Sequence, residues 1–445
     1  MEVTKQREKP KPKDAGDDYK TEYEDYKEVQ TINSMIPIWK KRKSEVKKQE
    51  YIEFYKTTFH EGVDPALYFD IHAEGTLNYD ALIYIPGAAP IDLYSDGYKK
   101  GLALYNSNVL IMDKCEELLP NHLNFVKGIV DSQDLSLNIS RETLQQDSVL
   151  MAIARRIEKR VLSELEKLMK KDRAKYEKIF RNFGRTLKYG IYASYGQKKE
   201  DLADLLLFYS AKQKKMVTFK EYLNKPDATP IPSPKDKTGD VTIENDKARF
   251  IYYAAGSDYN QMSKLPSVKT LLDKDYDVLF LTQDVDEFTM QSMTTYDEYM
   301  FKNVSSGNLG IDSAEEAQKN KEIGDDNKEL LQAMKEALAA EVTSVRVSSR
   351  LTDAASCIVA DGPVSFEMER IATYMPGEEN VKASRALELN PKHKVFDVLV
   401  KAFKDGDKGK VKLYSHILLD QALIIEGLPV KDPVEYAKNV TELMK

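Results

Sequence analysis

The stretch from Leu137 to Gln146 holds the residues whose types and spacing are best suited to chemistry. It reads L-N-I-S-R-E-T-L-Q-Q, so that Arg141 stands among amide and hydroxyl side chains directly before a long amphipathic segment. A planar guanidinium group carries five donors and can stabilise negative charge that develops on a phosphate. Gln145 lies four residues later, on the same face as Arg141 if the helix has begun there. The alternative is that Asn138 or Ser140 only caps the next helix.

Strands and helices are predicted to alternate on both sides of this loop. Residues 69–94 and 109–112 have the pattern of strands. Residues 249–256 and 277–282 are two further apolar runs with a helical segment near 263–272 between them, which predicts a βαβ-like unit. The alternation indicates an α/β layered fold. After the arginine loop, apolar residues recur at helical steps and predict one long amphipathic helix: Leu150, Ile153, Ile157, Val161, Leu165 and Leu168.

Two segments before the arginine loop carry a family resemblance. Residues 74–94 read E-G-T-L-N-Y-D-A-L-I-Y-I-P-G-A-A-P-I-D-L-Y, and residues 115–132 read C-E-E-L-L-P-N-H-L-N-F-V-K-G-I-V-D-S. Together with the arginine loop, they closely resemble the middle segment of the ninety-kilodalton heat-shock family of molecular chaperones, and the bacterial HtpG type in particular. Nearly the whole chain after about residue 28 follows that pattern.

The resemblance implies a domain organisation and a fold class. We expect an α/β and α+β protein, with a layered α/β middle domain followed by a mixed α+β C-terminal dimerisation domain that ends in helices. The first thirty residues hold seven basic and nine acidic side chains, a composition that predicts a disordered linker. The expected boundaries are 1–30 for this linker, 31–305 for the middle domain (large subdomain about 31–200, helical connector about 201–245, small subdomain about 246–305) and 306–445 for the C-terminal domain.

The resemblance also assigns roles around ATP. It implies that Arg141 contacts the γ-phosphate of ATP held by an N-terminal domain, and that Gln145 and Asn138 order the loop. The chain has neither a G-x-x-x-x-G-K-[ST] nor a G-x-G-x-x-G motif. It therefore looks like the middle and C-terminal parts of a chaperone whose ATP-binding part is missing or encoded elsewhere. ATP and magnesium are expected in the full-length protein, but this chain alone is expected neither to bind ATP tightly nor to hydrolyse it.

One apolar stripe and one tryptophan are candidates for contact with client proteins. In residues 363–377, Val364, Met368, Ile371 and Met375 recur at steps of four, three and four. Such a stripe can be an ordinary core face, but flexible thioethers also suit promiscuous binding. The resemblance implies that this helix touches clients. Trp39, the single tryptophan, is expected to anchor a surface loop against the large subdomain, and the resemblance links the matching tryptophan to client handling.

The C-terminal helices predict a dimer. The segment 410–427 is apolar over most of its circumference, so it must be covered on more than one side. We expect a two-fold mate to complete a four-helix bundle, as the resemblance also implies. The alternative is that the rest of the C-terminal domain covers this helix within one chain. The candidate interface residues are Val411, Tyr414, Leu418, Ala422, Ile425, Val440 and Leu443.

Composition excludes several other classes of protein. The net charge of −7 argues against nucleic acid as the main partner. No apolar run approaches the roughly 20 residues needed to cross a bilayer. Five scattered histidines give no metal-ligand spacing, so no metal site is expected. The two cysteines, Cys115 and Cys357, are interpreted as reduced core residues of a cytoplasmic protein.

Two functions stay open on the sequence alone. The first is a homodimeric chaperone that binds unfolded or partly folded clients and completes, through Arg141, the ATPase of an absent N-terminal domain. The second is a binding-only dimeric holdase module with no nucleotide cycle. An independent α/β enzyme is disfavoured, because the sequence contains no complete catalytic constellation.

Overall fold

The computed structural model describes residues 2–8, 23–29, 36–135, 147–223, 249–375, 377 and 380–444. The chain divides into two compact units, each described by itself below. The first unit comprises Met1–Pro120 with Asn124–Glu158, and the second comprises Asn121–Leu123 with Lys159–Lys445. The boundaries predicted near residues 200, 245 and 305 stay predictions.

The first unit is built on a mixed five-stranded sheet. The strand order is β3-β4-β7-β5-β6, and every neighbouring pair is antiparallel except β5 with β7. Its elements are β1 (Glu2–Glu8), β2 (Tyr23–Val29), α1 (Lys48–Phe59), β3 (Leu67–Ala73), β4 (Tyr79–Ile85), β5 (Leu102–Asn106), β6 (Val109–Cys115), β7 (Lys127–Ser132) and the start of α2 (Ser148–Lys171).

The core of this unit lies where α1 covers the sheet. Strand β4 is buried along nearly all its length, and Tyr55 of α1 packs on Tyr84 with ring centres 5.0 Å apart. Gly128 allows β7 to approach β4, because a Cβ atom there would lie 2.4 Å from the Leu82 carbonyl oxygen. Tertiary packing of aromatic side chains therefore fixes the helix on the sheet.

Strands β1 and β2 fall in the segment for which composition predicts a disordered linker. They pair in antiparallel register, from Glu2 opposite Val29 to Glu8 opposite Tyr23. Each of the two strands pairs the backbone groups that face the other, and an argument from side-chain composition does not consider these bonds.

The described residues of the second unit form two further sheets. A six-stranded sheet has the order β12-β13-β10-β11-β8-β9, and a three-stranded sheet has the order β14-β16-β15. After the end of α2, the elements are α3 (Arg173–Ala193), α4 (Lys199–Leu202), β8 (Phe208–Ser210), β9 (Lys215–Val217), α5 (Phe219–Leu223), β10 (Phe250–Ala255), α6 (Tyr259–Ser263), α7 (Pro266–Asp273), β11 (Leu279–Leu281), α8 (Asp286–Met293), β12 (Thr295–Tyr296), β13 (Tyr299–Asn303), α9 (Ala314–Asp326), α10 (Lys328–Leu338), β14 (Ser344–Val347), β15 (Ser356–Ala360), α11 (Phe366–Ala372), β16 (Arg385–Leu389), α12 (Lys394–Lys404), α13 (Lys408–Glu426) and α14 (Pro433–Glu442).

These sheets confirm the expected fold class. Strands β10 and β11 are parallel and joined through α7, as the predicted βαβ-like unit requires. In the last part of the chain, α10, α12 and α13 pack with the small mixed sheet around one apolar core. Both cysteines are free and buried, as predicted, and burial raises the pKa of the Cys115 thiol to about 12. None of the helices in the described part of the chain is long and apolar enough to cross a membrane.

Candidate functional site

Helix α11 carries two of the predicted client-binding residues, Met368 and Ile371, and starts at a strong cap. The Ser365 side chain accepts a hydrogen bond from the Met368 backbone N–H (3.1 Å). Glu367 and Glu369 lie in the first turn, where negative charge complements the helix dipole. Phe366 and Ala372 form the buried side of this short helix. The cap and the apolar anchor together fix where α11 begins.

The buried carboxylate of Glu287 accepts a hydrogen bond from the same serine, Ser365. Glu287 of α8 is almost fully buried, and the Ser365 hydroxyl donates to its Oε2. Its Oε1 accepts from Tyr253 Oη at 3.0 Å and from Asn303 Nδ2 at 2.7 Å. Burial raises the pKa of Glu287 above its ordinary value, against the opposing effect of these donors. The start of α11 is thus tied to the six-stranded sheet.

The side of α11 away from its anchor is partly open. Met368 and Ile371 are half-buried, whereas the Tyr374 and Met375 side chains that follow the helix are 78% and 47% exposed. The Gln291 Nε2 atom of α8 lies 2.9 Å from the Met368 sulfur. We call these five residues the α11 surface.

Residues close in sequence to the α11 surface are packed within the protein. Val364, also predicted to bind clients, is half-buried and packs against the core of the C-terminal part. Phe288 of α8 is half-buried, and its ring centre lies 5.6 Å from that of Tyr192 on α3. Ion pairs of Arg370 with Glu367 and of Arg385 with Glu369 hold the polar side of the helix. The apolar surface therefore sits on a firmly held element.

Glu287 and Gln291 were missed by the sequence interpretation. An acidic residue in the first turn of a helix is ordinarily solvent-exposed and stabilises the helix dipole. The burial of Glu287 depends on Tyr253, Asn303 and Ser365, which come from three distant parts of the chain. No local pattern could have revealed this arrangement.

Trp39 lies in the first unit and is only 8% exposed. Its Nε1 donates to Asp131 Oδ2 at 3.2 Å, and the same oxygen lies 3.0 Å from the Lys40 ammonium. The Tyr105 and Phe54 ring centres are 5.1 and 6.0 Å from that of Trp39. The tryptophan thus anchors the segment before α1.

The predicted catalytic residues Arg141, Gln145 and Asn138 lie outside the described residues. Helix α2, which follows them, is capped by Asp147, whose Oδ1 accepts from the backbone N–H groups of Val149 (2.7 Å) and Leu150 (3.1 Å). Within the described ranges, no group of three or more histidine, cysteine, aspartate or glutamate side chains is placed to hold a metal ion.

The predicted dimer residues separate into two sets. Val411, Leu418 and Ala422 are buried in the chain's own C-terminal core, and Tyr414 packs partly against it. These four side chains are therefore engaged within the chain. Val440 is half-buried, and the exposed apolar side chains of α13, α14 and the residues just after them are Ile424, Ile425, Val434, Leu443 and Met444.

Comparison with known proteins shows which family the chain matches. The Hsp90 protein family matches residues 1–445. The chain is 46% identical over 438 residues to the chaperone protein HtpG of Clostridium botulinum, covering 98% of this chain and 66% of that protein. It is 46% identical over 435 residues to HtpG of Bacillus subtilis, with the same coverage. For HtpG of Clostridium perfringens the identity is 44% over 424 residues, covering 95% of this chain and 64% of the relative. The chain thus spans about two thirds of the length of these curated relatives.

Proposed function

Since this chain belongs to the Hsp90 protein family, we propose that it acts as a molecular chaperone that holds unfolded or partly folded proteins. The observation that supports this most directly is the α11 surface. It combines two thioethers, a branched aliphatic side chain and an exposed tyrosine on a helix whose start is fixed by Ser365 and Glu287. Fixed elements with adaptable side chains suit binding to many unlike sequences.

The chemistry of the α11 surface fits an unfolded client. Unfolded chains expose apolar side chains that lack partners, and burying them against Met368, Ile371 and Met375 removes apolar area from water. Tyr374 adds a large apolar body with a polar tip. We retain Val364 and Trp39 as proposed client contacts on the family resemblance. In the structure both are largely packed against neighbouring residues.

The proposed nucleotide chemistry rests on the family. Arg141 would contact the γ-phosphate of ATP bound with magnesium by an N-terminal ATPase domain, while Gln145 and Asn138 would order the loop. The guanidinium group would stabilise charge that develops as the phosphoryl group is transferred. The residues of this chain would thus complete the hydrolysis without forming the nucleotide site.

A homodimer is also part of the proposal. The exposed apolar residues of the last two helices, Ile424, Ile425, Val434, Leu443 and Met444, would meet the same residues of a second copy around a two-fold axis. Val411, Tyr414, Leu418 and Ala422 would then support the interface from inside each chain.

An aggregation assay tests the holding activity. At equimolar concentration and without nucleotide, the chain is expected to slow the light scattering of a heat-denatured enzyme. The matched control is the chain with both Met368 and Ile371 changed to serine, which should protect much less. Equal protection by both proteins would remove the α11 surface from the proposal.

A second assay tests the nucleotide role separately. Added to a separately produced Hsp90-type ATP-binding domain, the chain is expected to raise the rate of ATP hydrolysis. Arg141→Ala should remove most of that stimulation, because losing one charge-stabilising donor costs a factor of about 100 to 1,000 in rate. Arg155→Ala, an exposed arginine on α2, is the control and should leave the stimulation intact. An unchanged rate in Arg141→Ala would refute the role.

A further inference from the structure

A cavity of about 310 Å³ in the second unit has no part in the proposed chaperone function. It lies among α3, β8, β11 and the start of α8. Its floor is aromatic: Phe180, Phe208 and Phe280 line it and are almost fully buried. Core side chains usually fill such a space, so three buried rings facing an open volume indicate a place for a ligand.

Two tyrosines complete the aromatic walls. The Tyr209 ring lies nearly parallel to that of Phe280, with an interplanar angle of 16° and ring centres 6.2 Å apart. The Tyr259 ring centre lies 5.0 Å from that of Tyr209, and its side chain is 42% exposed at the opening. Offset rings of this kind provide flat faces against which another planar ring can pack.

A buried lysine contributes charge to the same cavity. Lys188 is 3% exposed, and its ammonium lies 2.6 Å from Asp286 Oδ1, 3.0 Å from Gln283 Oε1 and 4.6 Å from the Phe208 ring centre. An ammonium group has three N–H donors. Two of them are engaged, which leaves one donor without a polar partner among the described residues.

The remaining charges of the lining favour an anion. The Asp286 carboxylate is already paired: its Oδ1 faces the Lys188 ammonium, and its Oδ2 accepts from the backbone N–H groups of Thr282 and Gln283, both at 3.0 Å. Glu177 is paired with Arg173 at 3.1 Å. Arg181, in contrast, is exposed at the rim, and in the described structure no acidic group or acceptor pairs with it. The free donors therefore come from Arg181 and Lys188.

We propose that this cavity binds a small aromatic carboxylate. Its ring would pack against Phe280, Tyr209 and Tyr259, and its carboxylate would accept hydrogen bonds from Arg181 and Lys188. The volume is at the lower end of small-molecule sites, so a molecule with one or two fused rings fits. This site is independent of the α11 surface and of any nucleotide cycle, so the proposal does not rest on the chaperone function.

Calorimetric titration of the whole chain with indole-3-acetate tests the site. We expect one saturable site per chain, with a Kd below about 1 mM. Indole alone and acetate alone each supply half of the recognised chemistry and should bind at least about tenfold more weakly. No saturable heat with indole-3-acetate, or equal affinity for indole, would overturn the proposal.

Paired variants on α3 locate the binding. Arg181→Gln should weaken binding by about tenfold, because it removes a charged hydrogen-bond donor. Lys178→Gln removes an equivalent exposed charge three residues away on the same helix and should leave the affinity unchanged. Tyr259→Ala should weaken binding through the aromatic wall. Equal affinity of Arg181→Gln and wild type would refute the site. The alternative is that an unfolded protein occupies the cavity through one of its segments. In that case it would displace indole-3-acetate, and Arg181→Gln would weaken its binding as much as that of the small molecule. That result would overturn the proposal of a small-molecule site.

Discussion

At the scale of single residues, buried charges determine how the C-terminal sheet is held. The Arg350 Nε atom lies 3.0 Å from Glu388 Oε2, and both side chains are almost fully buried. Arg350 Nη1 also donates to the carbonyl oxygens of Val304 (2.9 Å) and Ser306 (2.8 Å). One side chain thus satisfies a carboxylate of the small sheet and the backbone that follows β13.

Replacing Arg350 should therefore be costly. Arg350→Met removes one of the two arginines paired with the buried Glu388 carboxylate, which keeps Arg346. It also removes the donor to the Val304 and Ser306 carbonyl oxygens. The change is therefore expected to lower the free energy of unfolding by about 3–5 kcal/mol. Lys167→Met, which breaks an exposed pair with Glu164, should cost no more than about 1 kcal/mol. Urea unfolding followed by circular dichroism measures both. Similar midpoints for the two variants would contradict the buried network.

The buried carboxyl group of Glu426 should make the stability of the folded protein depend on pH. Burial raises the pKa of Glu426 to about 7, although the Ser305 hydroxyl donates to its carboxylate. Between its ordinary pKa and 7, the folded state holds a proton that the unfolded state has lost. The stability contributed by the neutral carboxyl is therefore present at low pH and is lost as the pH rises to about 7. Glu426→Gln should become more stable relative to wild type over that range, measured as melting temperature against pH. A constant difference from pH 4.5 to 8 would contradict the assignment.

At the scale of elements, the cap of α11 connects stability to the proposed function. Ser365→Ala removes both the helix cap and a donor to Glu287. A lost cap costs about 1 kcal/mol, so the α11 amides should exchange hydrogen about fivefold faster. Ser313→Ala removes the cap of α9 and should accelerate exchange only there. Hydrogen exchange by mass spectrometry distinguishes the two outcomes. Unchanged exchange in α11 would mean that the cap does not hold the helix.

Periodicity predicted several elements and left their environment undetermined. The apolar steps from Leu150 to Leu168 predict α2, which the structure confirms. The apolar stripe from Val364 to Met375 predicts a helix, and the structure has one there. Helix α11 is shorter than the stripe, from Phe366 to Ala372, and these two residues are its buried ones. The spacing of apolar residues identifies an apolar stripe on a helix. Which side of the helix packs against the core depends on neighbours that are distant in sequence.

The same limit applies to α13. Its apolar circumference correctly indicates that it must be covered on several sides. Which residues the chain itself covers depends on α10, α12 and the small sheet, which bury Val411, Leu418 and Ala422 and leave Ile424 and Ile425 exposed. Buried polar groups such as Glu287 are harder still to predict from the sequence, because their partners come from separate strands and helices.

At the scale of the whole molecule, the exposed apolar residues of α13 and α14 predict self-association. Light scattering is expected to give twice the chain mass of 50.8 kDa at tens of micromolar. Changing Ile425 and Leu443 to aspartate should yield a monomer, because buried unpaired carboxylates would oppose the interface. Val109→Asp, a change at an exposed apolar residue of β6, is the control and should stay dimeric. A wild-type monomer at that concentration would refute the two-fold architecture.

The most direct test of the chaperone proposal measures client binding at the α11 surface. Fluorescence anisotropy of a labelled, permanently unfolded protein, titrated with the chain, should give saturable binding. With Met368 and Ile371 changed to serine, binding should weaken by about tenfold or more, while the melting curve stays nearly that of wild type. Phe366→Ser, at the buried anchor, should instead lower the melting temperature. Unchanged affinity in the double serine variant, with its fold intact, would contradict client binding at the α11 surface.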